Sequence, residues 1–162
     1  MENKPIKRSQ HMVELSKDHH AGLLFSWKVK EGLKKGVELS RIKKYVDYFW
    51  EHHLKAHFEE EEALLFNRIN EDTLSQQGKN EHQILQNRIS RLNYNENAVK
   101  DEYFELAELL IKHIRFEERI LLPHLEQILP LSALKSVEAY LTQKHPVPFK
   151  DNYPDEFWSD KK

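Results

Sequence analysis

Apolar residues recur at helical spacing along most of the chain, in four long runs. The first predicts a helix over 9–35, with Met12, Leu15, His19, Leu23 and Trp27 on one face and Gly32 and Gly36 marking its end. The second predicts a helix over 41–69, capped by Ser40, with Val46, Trp50, His53, Leu54, His57, Glu61, Leu64 and Leu65 facing inward. Residues 71–78 are polar and are expected to form a loop. A third helix is expected over 79–93, beginning there or several residues earlier, with His82, Leu85, Ile89 and Leu92 inward. A turn follows over 93–97, with Asn97 as the cap of a fourth helix from 98 to 122 and beyond, bending at Pro123. Its stripe is Leu106, Leu109, Leu110, His113, Glu117, Ile120 and Leu121. Pro130-Leu131-Ser132 opens a short helix that reaches Lys144. The expected fold is all-α: an up-down-up-down four-helix bundle with a short fifth helix over 1–145. The tail, 146–162, carries Phe149, Tyr153, Phe157 and Trp158 among Pro and Asp. Four aromatics in so short a stretch predict a strap packed back across the bundle, with an exposed partner-binding segment as the rival reading.

The inward stripes are not purely apolar. His57-Phe58-Glu59-Glu60-Glu61-Glu62-Ala63-Leu64-Leu65-Phe66 returns as His113-Ile114-Arg115-Phe116-Glu117-Glu118-Arg119-Ile120-Leu121-Leu122. Both copies read His-x-x-x-Glu-Glu, then one variable residue, then three apolar residues. Positions i and i+4 lie on one helix face, so each copy projects an imidazole and a carboxylate from the same stripe. Asp18-His19 precedes the first copy and Glu81-His82 the second, which makes the chain a coarse duplication. The candidate metal ligands are therefore His19, His57, Glu61, His82, His113 and Glu117. Four imidazoles and two carboxylates suit borderline first-row ions and exceed what one tetrahedral zinc needs. They suffice for two ions bridged by the two Glu, and buried carboxylates without a counter-charge would be very costly.

Several neighbours compete or assist. His19 lies closer to the apolar face than His20, which is the alternative ligand of the first helix. His53, one turn before His57, reads equally as a fifth imidazole, an outer hydrogen-bonding group or a packed core residue. Gln86, one turn after His82, is placed to hydrogen-bond a metal-bound water or simply to pack. Glu59 should face solvent; Glu60, Glu62 and Glu118 read as a solvated or outer charge run. His11, His52, His124 and His145 read as surface residues. Trp27, Trp50, Phe66 and Phe116 are expected to wall the site against water.

Composition narrows the function. A net charge of -2 does not favour nucleic acid. The absence of cysteine excludes disulfides, CxxC redox chemistry and thiolate zinc sites. No apolar run approaches a membrane span, and the first residues have no signal-peptide pattern, so a cytoplasmic protein is expected. No His has Glu three residues before it, as the ferritin-like di-iron plan requires, and there is no His-Glu-x-x-His protease motif.

Over residues 10–128, Leu15-x-x-Asp18-His19, His57-Phe58-x-x-Glu61-Glu62, Glu81-His82 and His113-x-x-x-Glu117-Glu118 together resemble the hemerythrin-like, or HHE cation-binding, family. The resemblance implies a four-helix bundle around a non-haem di-iron centre, with Glu61 and Glu117 bridging and His19, His57, His82 and His113 as ligands. Oxygen-carrying hemerythrins have a second His one turn after the third-helix His, where this chain has Gln86, and an Asp five residues after the fourth-helix His, where Glu117 stands at four. Those departures are similar to hemerythrin-like sensors and iron–sulfur repair proteins, although the small Cys-containing domain usual in the repair proteins is not seen here. The expected function is binding or sensing of oxygen, nitric oxide or peroxide at two iron ions, with zinc or manganese suiting the same donors. The alternatives are a peroxide-decomposing or oxidase-type enzyme and an iron donor or store.

Overall fold

The computed structural model describes residues 10–94, 98–145, 147 and 149–160. Those residues are all-helical, with no strand among them. Helix α1 is Val13–Lys34; α2 is Leu39–Phe49, continued through a π-helical turn, Trp50–Leu54, into α3, Lys55–Leu64. Helix α4 is Thr73–Tyr94; α5 is Lys100–Phe116, continued through a second π-helical turn, Glu117–Leu121, into α6, Leu122–Ile128; α7 is Leu131–Lys144. α1 packs along α5, α5 along α4, and α2 against both α4 and α1, which closes a ring of neighbours. None of the described helices is long and apolar enough to cross a membrane.

Local chemistry explains most boundaries. α1 ends where Gly36 takes φ 70, with Gly36 N–H donating to Leu33 and Val37 N–H to Gly32. That is the glycine-terminated helix stop in which two otherwise orphaned carbonyls are satisfied. α2 starts at Leu39, so Ser40 lies inside it rather than capping it. α4 begins at Thr73, and the expected loop over 71–78 is mostly helix: Asp72 accepts the Ser75 N–H and hydroxyl and so holds the first turn. At the start of α5 the Glu102 carboxylate accepts the Val99 N–H; the Asn97 cap lies outside the described residues. Pro123 falls in the first turn of α6, just after the π-helical turn.

The core has two apolar clusters with a polar layer between them. One, around Phe25, Tyr45, Phe49, Leu85, Leu106 and Leu110, lies toward the α2 end. The other, around Leu15, Leu65, Phe66, Leu121, Leu134 and Val137, seats α7. Along α1, His19 stands between Leu15 of one cluster and Phe25 of the other; along α3, His57 and Glu61 stand between Leu54 and Leu65. Phe157 is buried against Tyr45 at 5.5 Å between ring centroids, and Tyr153 stacks obliquely on Tyr45 at 5.1 Å. Asp151 joins the buried Lys28 at 3.0 Å and also accepts the Tyr45 hydroxyl, and Arg41 forks onto Asp155 at 2.9 and 2.6 Å. Residues 149–160 thus lie along α1 and α2.

Two inward stripes are corrected. Leu23 is exposed and Trp27 is 49% exposed, so neither belongs to the α1 core. Steps of four residues advance about 40° each on an α-helix, so a stripe drawn from Leu15 in fours has turned about 120° by Trp27. The buried face instead runs Leu15, His19, Gly22, Ser26, Val29 and Leu33. Ile120 is 50% exposed while Leu121 and Leu122 are buried. The π-helical turn holds one extra residue per turn, which delays the phase and swings Ile120 out.

Candidate metal centre

All six candidate ligands are buried in the polar layer, and the side chains of Glu61 and Glu117 have no solvent exposure. They form two groups, His19/His57/Glu61/Glu117 and Glu61/His82/His113/Glu117, each with one ligand atom per residue within 4.8 Å of the others. Both carboxylates belong to both groups. The Nε2 atoms face the carboxylates: His19 to Glu117 at 2.7 Å, His57 to Glu61 at 3.1 Å, His82 to Glu61 and Glu117 at 3.2 Å, and His113 to Glu117 at 2.6 Å. His20 is exposed.

Every imidazole is held from behind. His19 Nδ1 meets Glu118 at 2.8 Å, His57 Nδ1 meets Asp18 at 3.1 Å, His82 Nδ1 meets Glu62 at 3.0 Å, and His113 Nδ1 meets Glu81 at 2.8 Å. An ionised carboxylate only accepts, so each Nδ1 carries the proton and donates it. These bonds close a circuit. Asp18 of α1 holds His57 of α3; Glu62 of α3 holds His82 of α4; Glu81 of α4 holds His113 of α5; Glu118, just past α5, holds His19 of α1. Each bracing acid is the chain neighbour of a central residue: Asp18 of His19, Glu62 of Glu61, Glu81 of His82, Glu118 of Glu117. One residue along a helix is about 100° around it, so the neighbour of an inward residue points sideways, at the next helix. The acid doublets were visible in the sequence, and the outer role read for Glu62 and Glu118 is the one they take; which histidine each acid meets, and the same role for Asp18 and Glu81, were not read. Phe58 was missed as well. It stacks on His82 with ring centroids 3.9 Å apart and interplanar angle 12°, and so walls the site in the place expected for Trp27.

The unpaired atoms test whether a cation fits. His19 Nε2, His113 Nε2, both Glu61 oxygens and Glu117 Oε2 are buried without a hydrogen-bond partner. His113 Nε2 and Glu117 Oε1 are only 2.6 Å apart, yet Nε2 lacks hydrogen-bond geometry. These atoms converge on common points instead of bonding to one another. Buried polar atoms are nearly always satisfied, so a cluster of unsatisfied nitrogen and oxygen donors fits cations.

The electrostatics agree. Burial alone would lower the His57 pKa, but Glu61 and the bond to Asp18 push it up to about 9. The same contest, won by Glu117 and its fellows, raises His19, His82 and His113. Burial and the nearby Glu117 push Glu61 upward, yet His57 and His19 hold it at about 2; Glu117 is also held well below the ordinary carboxylate range, burial being overcome chiefly by His113. In the metal-free protein the cluster thus demands positive charge, which protons on imidazole or bound cations supply. Losing a brace should weaken the cation form specifically. Asp18→Asn should lower cation affinity about 10–100-fold, measured by competition with a chelator, because it loosens His57 and lowers its basicity. An unchanged affinity would mean that the His57–Asp18 bond is incidental.

Other predicted residues lie elsewhere. His53 is buried but belongs to neither group. Gln86 is exposed and lines a surface cavity over His82 and Phe58. His11, His124 and His145 are half-buried and meet Glu138, Asp72 and Glu60 at 2.7 Å each, so they are pinned residues of the periphery rather than free surface ones.

A helical core with two His pairs sharing two carboxylates is an arrangement able to hold cations. The hemerythrin HHE cation binding domain family model matches residues 10–125, which include all six central residues and all four braces. The chain belongs to this family. Comparison with curated proteins and with solved structures gave no significant match.

Proposed function

We propose that this is a cytoplasmic di-iron protein of alternating up-down-up-down rods that binds or senses oxygen, nitric oxide or peroxide. His19 and His57 would hold one ion, His82 and His113 the other, with Glu61 and Glu117 shared. Two iron ions held there would supply redox chemistry toward a small exogenous ligand. The observation that carries this reading is a cavity of about 10 Å³ lined by His19, His57 and His113 together with Gly22, Leu54, Leu110 and Ile114. That is about the space of one water, so it suits a ligand of one or two heavy atoms. Its walls are largely apolar, which favours small uncharged molecules. The chain's own residues do two things: they orient four imidazoles through the acid circuit and share two acids between the pairs.

Elemental analysis of protein purified without added metal, with an absorption spectrum of the same sample under argon, oxygen and nitric oxide, tests the reading. About two irons per chain and a ligand-dependent charge-transfer spectrum are expected. Zinc alone, or a spectrum indifferent to both gases, would overturn it. Peroxide decay well above the free-iron rate would move the reading to catalysis; rapid loss of iron to a chelator would move it to iron donation.

A further inference from the structure

Among the described residues, three cavities reach the cluster, and they are not equivalent. One of about 130 Å³ is lined by Glu62 and His82, and one of about 340 Å³ by Glu81 and His113. Each therefore meets an imidazole beside the acid that already binds its Nδ1. The small cavity of about 10 Å³ differs: three of the four central imidazoles line it, with Asp18 and His53. His53 is the one buried imidazole of this wall outside the cation clusters.

The surroundings of His53 tie it to the chain's C-terminal segment. Its ring stacks on Phe149 at 4.2 Å with an interplanar angle of 21°, and lies 6.0 Å from His57 in a nearly parallel plane, at 19°. Phe49 abuts it at 5.2 Å. Phe149 sits between two fastenings: His145 on Glu60 at 2.7 Å, and Asp151 on the buried Lys28 at 3.0 Å and on Tyr45. A charged pair buried under a terminal segment is costly to assemble, and here it fixes the segment where it presses one aromatic ring onto one wall of the cavity.

Resting on the small-ligand reading above, we propose that His53, clamped by Phe149, is the gate between solvent and the cavity beside the cluster, and that the pair sets the size of ligand admitted. With His53 in place the cavity takes about one water-sized ligand; without its ring, the space between Phe149 and His57 joins the cavity. Neither residue holds the cation, so the gate acts on access and leaves the affinity for metal alone.

The full-length protein tests this in two ways. In the ferrous iron-loaded protein, stopped-flow binding of nitric oxide should be about tenfold or more faster in Phe149→Ala and His53→Ala than in the parent. In the metal-free protein at a pH above about 9, where His57 is neutral, diethyl pyrocarbonate labelling of His57, mapped by mass spectrometry, should accelerate in the same variants. Phe149→Leu keeps apolar bulk without the flat stack and should show the same trend if Phe149→Ala folds poorly. Ile84→Ser, in the α4–α5 groove, should change neither rate. Rates within about twofold of the parent in both assays, or equal acceleration by Ile84→Ser, would overturn the gate. A parent protein blind to nitric oxide would instead sink the small-ligand reading, and the labelling would still decide whether His53 closes the cavity.

Discussion

Glu61→Ala should abolish tight cation binding and unfold the protein at markedly lower temperature, whereas Glu59→Ala, two residues away, should do neither. Glu61 has no exposed surface, and its two oxygens serve both His pairs. Deleting it removes a donor from each of the two clusters at once. In the metal-free state it also removes a negative charge that holds His57 and His82 in their protonated forms. Breaking a buried charge network by taking one partner typically costs about 3–5 kcal/mol. In the loaded protein the lost binding energy adds to this, because cations that bind only the folded chain stabilise it by mass action. Glu59 is exposed on the opposite side of the same helix, where substitutions usually stay within about 0.5 kcal/mol. Chelator competition and thermal unfolding of the three proteins measure both effects. Equal behaviour of Glu59→Ala and Glu61→Ala would mean that the inward face of α3 has been misassigned. Glu117→Ala should match Glu61→Ala, since it too is shared by both clusters.

That His57 with Glu61 and His113 with Glu117 share a face was legible from spacing, because His-x-x-x-Glu on a helix presents both groups to one side. His19 and His82 were read from the acid-His doublets on the inward faces of the other two helices. All-helical character was legible too: few glycines and long stripes of period 3.6 leave no alternation for strands. What spacing hid was phase. A π-helical turn arises where tertiary contacts outweigh regular hydrogen bonding, so no local residue pattern announced the turns at Trp50–Leu54 and Glu117–Leu121. With the second unseen, Ile120 was placed inside. Tracing α1 in steps of four made a similar error at Leu23 and Trp27, and the small residues of the true face, Gly22 and Ser26, carried no hydrophobic signal. A β-carbon on Gly22 would come within 2.7 Å of Ile114, so that glycine lets α1 and α5 approach beside the small cavity. The start of α4 was hidden because its buried residues there, Ser75 and Gly78, are small and carry no hydrophobic signal, and the first turn is held by Asp72. The acid circuit was hidden for a different reason. Its members are adjacent in sequence to the residues they accompany, yet each serves a histidine on another helix, a relation that only the packing creates.

Removing the cation should make stability depend on alkaline pH, and restoring it should remove that dependence. A group whose pKa is raised on folding contributes stability that is complete below its unfolded value and is lost as pH rises through its folded value. His57 is raised from 6.5 to about 9, and His19, His82 and His113 are raised as well. The chelated protein should therefore lose melting temperature steadily between about pH 6.5 and pH 9. Glu61, held at about 2, acts at the other end: its contribution is present above about 4.5 and disappears toward pH 2. His53, pushed down to about 4 by burial and by His57, also loses stability only below pH 6.5 and leaves the alkaline limb untouched. With the two divalent cations proposed above, the imidazoles are neutral donors, and the cations carry the same charge as four protons. Raising the pH then removes nothing from the cluster, so the loaded curve should stay level to pH 9 while acid releases the cations. Thermal unfolding across this range, with chelator and with cation, gives the gap directly; it should widen from pH 6.5 to 9. Two parallel curves would show that the imidazoles hold no extra protons in the metal-free fold, and that the unsatisfied donors at the centre are not waiting for positive charge.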